Sequence, residues 1–264
     1  MAKTLIVDIS HHQPSSKINW AQAAKEVSLM IIRVQYGSNQ IDKEYKNHVA
    51  NCKKYGIPFG HYAYAQFVSV NDAKVEAKDF LNRIDKAAKF LVVDVEEQST
   101  KSKSDMLPAT QAFVDVCKSA GYKTGLYTGH HFYKPYGMDK VKADFLWIPR
   151  YGSNNGNKQT KPDYACDIWQ YTSIGKVSWY NGNLDLNALI GNKSLEWFIG
   201  ADKKEAPKVA ADNNKPSDFA RLAWAKAQKK KGKDGTPIID GTRPKEPVTR
   251  EQLAVILDRL ELLD

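Results

Sequence analysis

The feature that most restricts the fold of this chain is an alternation of short apolar runs with amphipathic segments along its first half. The apolar runs have the length and the β-branched content of strands, and the segments between them repeat apolar residues every three or four positions, as helices do. Strands that alternate with helices predict a parallel sheet covered by helices. The strand-like runs are TLIVDIS, SLMIIRVQY, IPFGHYAYAQF, FLVVDVE and YKTGLYT.

The second half of this region follows a less regular pattern. Three more strand-like runs are joined by loops rich in Gly, Asn and Tyr instead of full helices, namely FLWIPRY, ACDIWQYT and NLDLNAL. Eight strands and about five helices predict an α/β fold, an irregular (β/α) barrel of the TIM type. The alternative is an open doubly wound sheet. No glycine-rich phosphate-binding loop follows any strand, so the sequence does not support nucleotide binding, which is the commonest function of that alternative fold.

The composition changes after Gly200, and this change predicts a second, smaller domain. The stretch ADKKEAPKVAADNNKPS is polar and contains two prolines, as linkers do. Two amphipathic segments follow it, FARLAWAKAQ and TREQLAVILDRLELL. We therefore predict a barrel over residues 1–200, a linker over 201–216 and a small helical module over 217–264. Because such a short module buries little core, we expect it to pack on the barrel or on a second copy of itself.

Bulk properties exclude several classes of protein. A hydrophobic content of 42% suits an ordinary globular core. No apolar stretch is long enough to span a bilayer, and the start MAKTLIVDIS lacks the features of a signal peptide, so we expect synthesis in a cytoplasm without an export signal. The cysteines Cys52, Cys117 and Cys166 are far apart and predict buried apolar residues. A net charge of +9 favours an anionic partner: nucleic acid, a membrane surface or an acidic wall polymer.

Carboxylates stand at the ends of three predicted strands. Asp8 ends the first strand, Asp185 lies in the last, and the run FLVVDVEEQS carries Asp94 and Glu96. Residues two apart on a strand point to the same side, with backbones about 6.5–7 Å apart. In a barrel these strand ends converge on one face. One of two such close carboxyls acquires a raised pKa and can donate a proton while the other stays anionic, which is what hydrolysis of a glycosidic bond requires.

Aromatic and polar side chains accompany these carboxylates. The flat C–H faces of sugars pack on aromatic rings, so a cleft that combines rings with carboxylates suits a carbohydrate. For each residue alone the alternative is structural, because a strand-end Asp often caps the next helix and a Tyr or Trp often fills the core. The combined pattern favours a binding cleft. Its predicted members are Tyr62, Tyr64, Tyr127, Trp147, Arg150, Trp169 and Gln170.

Other chemistries have weaker support. The pairs His11–His12 and His130–His131 are adjacent, so their side chains point opposite ways on a strand, and no H-E-x-x-H motif is present. The G-x-S-x-G motif that would indicate a serine nucleophile is absent from the sequence. The basic residues are not interleaved with aromatics as in known nucleic-acid modules. We therefore expect no metal, no cofactor, no nucleic-acid partner and no membrane partner.

Taken in order, the motifs resemble a known family, the lysozymes of glycoside hydrolase family 25, which are the muramidases of phage endolysins and bacterial autolysins. The resemblance covers about residues 4–190. Its motifs are VDISHHQ, LMIIRVQYG, GIPFGHYAYA, FLVVDVEE, AGYKTGLYTG, LWIPRYG, IWQYTSIGKV and GNLDLNAL. Their number and order make the resemblance specific, whereas VDVE or LDLN alone would not be.

The resemblance implies cleavage of the β-1,4 bond between N-acetylmuramic acid and N-acetylglucosamine in peptidoglycan. It implies that Glu96 is the general acid and that Asp94 orients the N-acetyl group or stabilises an oxocarbenium-like transition state. Asp8 and Asp185 resemble the flanking acidic pair of the cleft. The residues that resemble sugar-contacting aromatics are Tyr62, Tyr127, Trp147 and Trp169.

The chain departs from the family at its third strand, where many relatives have Tyr-His-Phe and this chain has Tyr62, Ala63 and Tyr64. This departure weakens any role assigned to a histidine there, but it does not affect the roles of the carboxylates. The sequence also leaves the stereochemistry open. A nucleophilic Asp94 or the substrate's own acetamido group would retain the anomeric configuration, and a water-activating carboxylate would invert it. The family analogy favours substrate-assisted retention.

The tail resembles part of one S-layer-homology repeat, through WAKAQ and DGTRPKEPVTREQLAVIL. Such modules are similar to ones that bind secondary polymers of Gram-positive walls, so peptidoglycan and an anionic wall polymer are the expected partners. A dimerisation or packing element is the alternative, and the chain would then be a dimer instead of a monomer. The full expectation is a phage endolysin, made in the host cytoplasm and acting on the wall after release. A chitinase-like hydrolase and a non-catalytic wall-binding protein are the alternatives.

Overall fold

The structure is a computed structural model that describes residues 3–200, 221–232, 235–239, 250–260 and 262. The chain divides into two compact units, Met1–Asp202 and Lys203–Asp264. The predicted linker, residues 201–216, lies outside the described residues. The domain bounds that the sequence suggests therefore remain predictions in their detail.

Eight strands of the first unit close into a barrel. The strands run in space from β1 through β2, β4, β5, β6, β7, β8 and β9 and back to β1, and β3 pairs only with β2, outside the ring. Neighbours in the ring are parallel except β9, which is antiparallel to both β8 and β1. The predicted irregular barrel is thus confirmed. The strands are β1 (Leu5–Ile9), β2 (Val27–Tyr36), β3 (Gln40–Ile41), β4 (Phe59–Tyr64), β5 (Leu91–Val95), β6 (Thr124–Thr128), β7 (Phe145–Pro149), β8 (Ile168–Val177) and β9 (Tyr180–Leu189).

Five helices belong to this unit, as the sequence predicts. Gly56 ends α2 in the left-handed region, with φ of 64°, and its N–H bonds the carbonyl of Cys52. All of residues 145–189 are described, and they contain no α-helix, so the last third is as irregular as its sequence suggests. The helices are α1 (Trp20–Glu26), α2 (Tyr45–Tyr55), α3 (Val70–Arg83), α4 (Lys103–Ser119) and α5 (Leu195–Ile199).

The core has two layers because alternate residues of each strand point to opposite faces. One layer lies between the strands and the helices, and the other fills the barrel. Inside the barrel, glycines make room for large rings: a Cβ on Gly60 would lie 2.4 Å from the ring of Phe90, and one on Gly125 would lie 2.2 Å from that of Phe145. Phe198 of α5 packs edge-on against both rings and closes the end of the barrel where the parallel strands begin.

The three cysteines are free and buried, as predicted. Among the described residues, none of the helices has the length and apolar character that crossing a membrane requires. The second unit contains α6 (Arg221–Lys229) and α7 (Arg250–Arg259). The helix α7 lies within a segment predicted to be helical, and α6 extends one residue beyond its predicted segment. Between these helices Lys231 and Pro237 form an isolated antiparallel bridge, and Ile238 beside it is buried.

Candidate active site

The predicted carboxylates gather at the end of the barrel where the parallel strands finish. Asp8 of β1 and Asp185 of β9 stand directly opposite each other in the antiparallel pair. Residues so paired have Cβ atoms about 4.5–5.5 Å apart on one face of the sheet, and like charges there repel. Asp94 lies near the end of β5, and Glu96 follows that strand. The charges of Asp8 and Glu96 raise the pKa of both Asp94 and Asp185, so the four carboxyls form one site.

Asp8 is the carboxylate with the most hydrogen bonds. Its oxygens accept from Nε2 of Gln170 at 3.0 and 3.2 Å and from Nδ2 of Asn187 at 2.7 Å. These bonds favour the charged form, but burial opposes it more strongly and raises the pKa of Asp8 to about 7. Burial, with the charges of Asp8 and Glu96, raises the pKa of Asp185 to about 9.

Asp94 is almost fully buried, with 5% of its surface exposed. Its Oδ1 atom accepts no hydrogen bond from any described residue. Burial raises the pKa of Asp94 well above its usual value, Glu96 and Asp8 raise it further, and Arg33 opposes them. An inward-facing carboxyl oxygen without a protein partner is suited to a hydrogen bond with a substrate group.

Glu96 differs from Asp94 because it reaches an open cleft of about 340 Å³. Burial raises the pKa of Glu96, and the neighbouring Glu97 raises it further. A carboxyl that has a raised pKa and lines a cleft is placed to act as a general acid. The other residues that line this cleft are Gly129, His130, His131, Pro149, Arg150 and Tyr151.

Arg33 supplies positive charge beside these carboxylates. It extends from β2, and its Nε donates to Oδ2 of Asp42 at 2.9 Å. Its guanidinium also contacts Nδ1 of His11, whose backbone N–H bonds the same Asp42 oxygen at 2.9 Å. Asp42 is buried and therefore fixes the guanidinium in place. Arg33 favours the anionic form of Asp94 and so opposes the effect of burial on the pKa of that carboxyl.

Three predicted aromatics form the floor of the site. Trp147 packs edge-on against Tyr62 and Tyr127, with ring centroids 6.4 and 4.5 Å apart. Its Nε1 donates to Oδ1 of Asn187 at 2.8 Å, and the Tyr127 hydroxyl donates to Oε1 of Gln170 at 2.9 Å. All three rings are buried, so they position the polar groups above them. Tyr64 instead lies at the partly exposed rim.

Trp169 is the predicted residue that the structure places elsewhere. It precedes Gln170 on β8, so it points to the opposite side, and it packs against Tyr171 in the layer outside the barrel. Its Nε1 donates to the carbonyl of Arg150 at 2.7 Å. Trp169 therefore supports the strand end and does not join the carboxylates. The Arg150 side chain does line the cleft, where it forms an ion pair with Asp163 and contacts His130.

Sequence reasoning missed three residues of the site, Arg33, Asn187 and Tyr151. The Tyr151 hydroxyl donates to Oε1 of Gln170 at 2.5 Å. Two of the three had a detectable signal. Asn187 is two residues after Asp185 on one strand, and Arg33 is the one charge in the apolar run SLMIIRVQY. Tyr151 lies in a loop, where no periodicity fixes the direction of a side chain.

The described residues contain no group of three or more His, Cys, Asp or Glu side chains that could hold a metal ion. What they do contain is a carboxyl with a raised pKa in a cleft, a buried carboxyl beside it and a fixed cation. Two carboxyl groups in unlike environments at the strand ends of a barrel are the machinery of a glycoside hydrolase.

The comparisons agree with that class. The chain belongs to the glycosyl hydrolases family 25, whose sequence profile matches residues 7–179. It is similar to the lysozyme of Streptococcus phage Cp-7, at 28% identity over 181 residues, which covers 64% of this chain and 50% of that lysozyme. The chain thus spans about half the length of this curated relative.

Solved structures support the same assignment. The catalytic domain of endolysin ply40 from bacteriophage P40 of Listeria monocytogenes is similar at 34% identity and a TM-score of 0.67, over 72% of this chain and 94% of that one. The virulence factor GHIP of Streptococcus pneumoniae, a glycosyl hydrolase 25, is similar at 29% identity and a TM-score of 0.69, over 74% of this chain and 92% of that one.

Proposed function

We propose that this chain is a muramidase, which hydrolyses the β-1,4 bond between N-acetylmuramic acid and N-acetylglucosamine in peptidoglycan. The observation that carries the proposal is the contrast between two neighbouring carboxyls. Both have a raised pKa, but Glu96 lines the open cleft, whereas Asp94 is buried and interacts with Arg33. Membership of family 25 and the similarity to a phage lysozyme support the choice of substrate.

In this mechanism Glu96 donates its proton to the glycosidic oxygen as the bond to the anomeric carbon breaks. The sugar then carries positive charge, which the oxygen atoms of the nearby Asp94 and Asp185 carboxyl groups stabilise. The unpartnered Oδ1 of Asp94 accepts the N–H of the substrate's acetamido group and directs its carbonyl oxygen at the anomeric carbon. Water then attacks the anomeric carbon and opens the ring that the acetamido oxygen formed, while Glu96 takes up a proton from that water. The two displacements together retain the anomeric configuration.

The flanking groups have positioning roles in the proposal. Gln170 and Asn187 hold Asp8 from one side, and Tyr127 and Tyr151 fix the orientation of the Gln170 amide, because both hydroxyls donate to its oxygen. Asp8 then keeps Asp185 from ionising freely. Arg150 forms the far wall of the cleft with His130.

The test is release of reducing ends from purified Gram-positive peptidoglycan, with mass spectrometry of the fragments. The wild type should yield fragments that end in muramic acid. Glu96→Gln should lose about 10²–10⁴-fold in kcat, the usual contribution of a general acid. Glu196→Gln is the matched control, since Glu196 is exposed on α5 at the other end of the barrel.

Other outcomes would contradict the proposal in distinct ways. Fragments that end in N-acetylglucosamine, or cleavage of chitin in preference to peptidoglycan, would show that the enzyme cleaves a different glycosidic bond. Equal activity of Glu96→Gln and the wild type would move the active site elsewhere. Binding to walls without any release of reducing ends would indicate a barrel that only binds.

We also propose an endolysin role, in which the protein is made in a bacterial host and reaches the wall after release. The similarity to an endolysin catalytic domain and to a phage lysozyme supports it. In this proposal the tail binds an anionic wall polymer through its S-layer-homology-like segment, of which residues 240–249 lie outside the described residues. Appearance of the protein in the medium of intact producing cells would count against this role.

A further inference from the structure

A pair of stacked tyrosines at the rim of the barrel has no role in the mechanism above. The rings of Tyr36 and Tyr64 are nearly parallel, with an interplanar angle of 6° and centroids 4.5 Å apart. Tyr64 covers one face of the Tyr36 ring, yet Tyr36 remains 38% exposed. An isolated exposed ring needs no explanation, but a stacked and exposed pair beside a catalytic cleft presents an ordered aromatic surface.

The pair lies in register with the catalytic carboxyl. Tyr36 of β2 is aligned with Tyr64 of β4, and Tyr64 is aligned with Asp94 of β5. Neighbouring strands are about 4.8 Å apart, so the backbones of Tyr36 and Asp94 are separated by roughly 10 Å. Burial raises the pKa of Tyr64, and the charges of Asp94, Glu97 and Glu96 raise it further.

Polar groups border the aromatic surface. The hydroxyl of Tyr64 donates to Oε1 of Glu97 at 3.2 Å, and Nε2 of Gln66 donates to the same oxygen at 2.6 Å. Gln66 is itself fixed, because its backbone N–H bonds both oxygens of the buried Glu76 at 3.2 and 3.3 Å. The second carboxylate oxygen of Glu97 and the amide of Gln66 thus stand at the edge of the rings in a defined geometry.

We propose that Tyr36 and Tyr64, together with Gln66 and Glu97, form a sugar-binding platform for the glycan strand. A pyranose presents C–H groups on its flat face, which pack on the electron-rich face of an aromatic ring, and hydroxyls at its edge, which bond carboxylates and amides. The platform offers both kinds of contact. It holds a sugar beyond the one at the cleavage point, because the exposed ring of Tyr36 lies on a strand two positions away from that of Asp94.

The inference rests on the proposed function for the identity of its ligand. Binding at a distance from the reacting bond contributes to transition-state stabilisation by positioning the substrate. Removing the platform should therefore weaken the binding of long glycan strands and lower kcat/KM on intact walls. The chemistry at Glu96 itself should continue once a strand is bound.

The experiment measures the affinity of long, peptide-free glycan fragments of peptidoglycan by calorimetry, in a Glu96→Gln background that prevents turnover. Tyr36→Ala should bind them about five- to tenfold more weakly, the loss typical of one aromatic contact. Tyr36→Phe keeps the ring and should recover most of that affinity. Val75→Ala, an exposed apolar residue on the outer helix α3, is the matched surface control.

A ring effect can be separated from a structural one by a further variant. Tyr36→Leu fills similar space without an aromatic face and should bind as weakly as Tyr36→Ala. Unchanged affinity of Tyr36→Ala for the glycan fragments would contradict the proposal of a sugar-binding platform. Equal affinity of Tyr36→Leu and Tyr36→Phe would contradict it too. Failure of the proposed function gives a different result, since a wild type that binds these fragments and never cleaves them would leave the platform intact.

Discussion

At the scale of single residues, the proposed acid Glu96 is influenced by its neighbour in the sequence. Glu97 is exposed, and its carboxylate raises the pKa of Glu96. Because Glu96 must be protonated to act as an acid, a raised pKa keeps the enzyme active to a higher pH. Glu97 therefore helps to set the alkaline limit of activity without contacting the scissile bond.

We expect Glu97→Gln to move the alkaline limb of the activity profile to lower pH. Glutamine keeps the size of the side chain and an oxygen that can accept from Gln66 and Tyr64, so the main change is the lost charge. The measurement is kcat/KM on purified walls as a function of pH. An alkaline limb that stays where the wild type has it would show that this neighbour does not tune Glu96.

At the scale of secondary-structure elements, α5 deserves its own test because it closes the barrel. Phe198 is fully buried and packs edge-on against Phe90 and Phe145. We expect Phe198→Ala to lower the free energy of unfolding by about 3–5 kcal/mol, the usual loss for a buried ring. Urea denaturation measures it, and Phe198→Leu should lose less.

The position of α5 makes a second outcome informative. This helix lies at the opposite end of the barrel from the carboxylates, so the folded fraction of Phe198→Ala should keep its specific activity. A loss of stability below about 1 kcal/mol would show that the helix is not part of the barrel core.

The strands show which features a sequence can predict. The run FLVVDVE predicts β5 and its two carboxyls because the burial of a strand and the direction of alternate side chains are local properties. The prediction for Trp169 is wrong because it assigns Trp169 and Gln170 to the same cleft, although neighbours on a strand point to opposite sides. Applying the same rule to LDLNAL would have found Asn187 beside Asp185.

Other features of the site depend on contacts that no local pattern encodes. Arg33 is held by Asp42 and His11, which come from two different loops. The stacking of Tyr36 on Tyr64 needs the register of β2 against β4. The carboxyl ends of the strands were predictable, but the hydrogen-bond network that assigns charge to each group was not.

At the scale of the whole molecule, the carboxylate cluster opposes the stability of the protein. The pKa of Asp185 rises from 3.8 to about 9 and that of Asp8 from 3.8 to about 7. Between about pH 4 and those values the folded state binds more protons than the unfolded state, so the free energy of unfolding falls as pH rises. The protein should be most stable in mildly acidic solution.

We therefore expect Asp185→Asn to stabilise the protein at pH 8, by about 0.5–2 kcal/mol, while it lowers activity. The substitution removes the charge opposite Asp8, and no described side chain bonds the Asp185 carboxylate. Thermal unfolding at pH 5 and pH 8 measures the effect, which should be larger at pH 8. Asp139→Asn, at an exposed position, is the control. Lower stability of Asp185→Asn at pH 8 would contradict this account of the cluster.

The insertion of β9 between β8 and β1 also has a consequence for when the enzyme becomes active. Asp8 is among the first residues to leave the ribosome, but its partners Gln170, Asp185 and Asn187 are among the last of the barrel. At typical rates of about 5–20 residues per second, roughly 10–35 s of translation separate them. The nascent chain can form helices and parallel strands during that interval, but it holds no assembled catalytic site. Under the proposed function, a cell that makes this protein is exposed to hydrolysis only after the last strand has closed the ring.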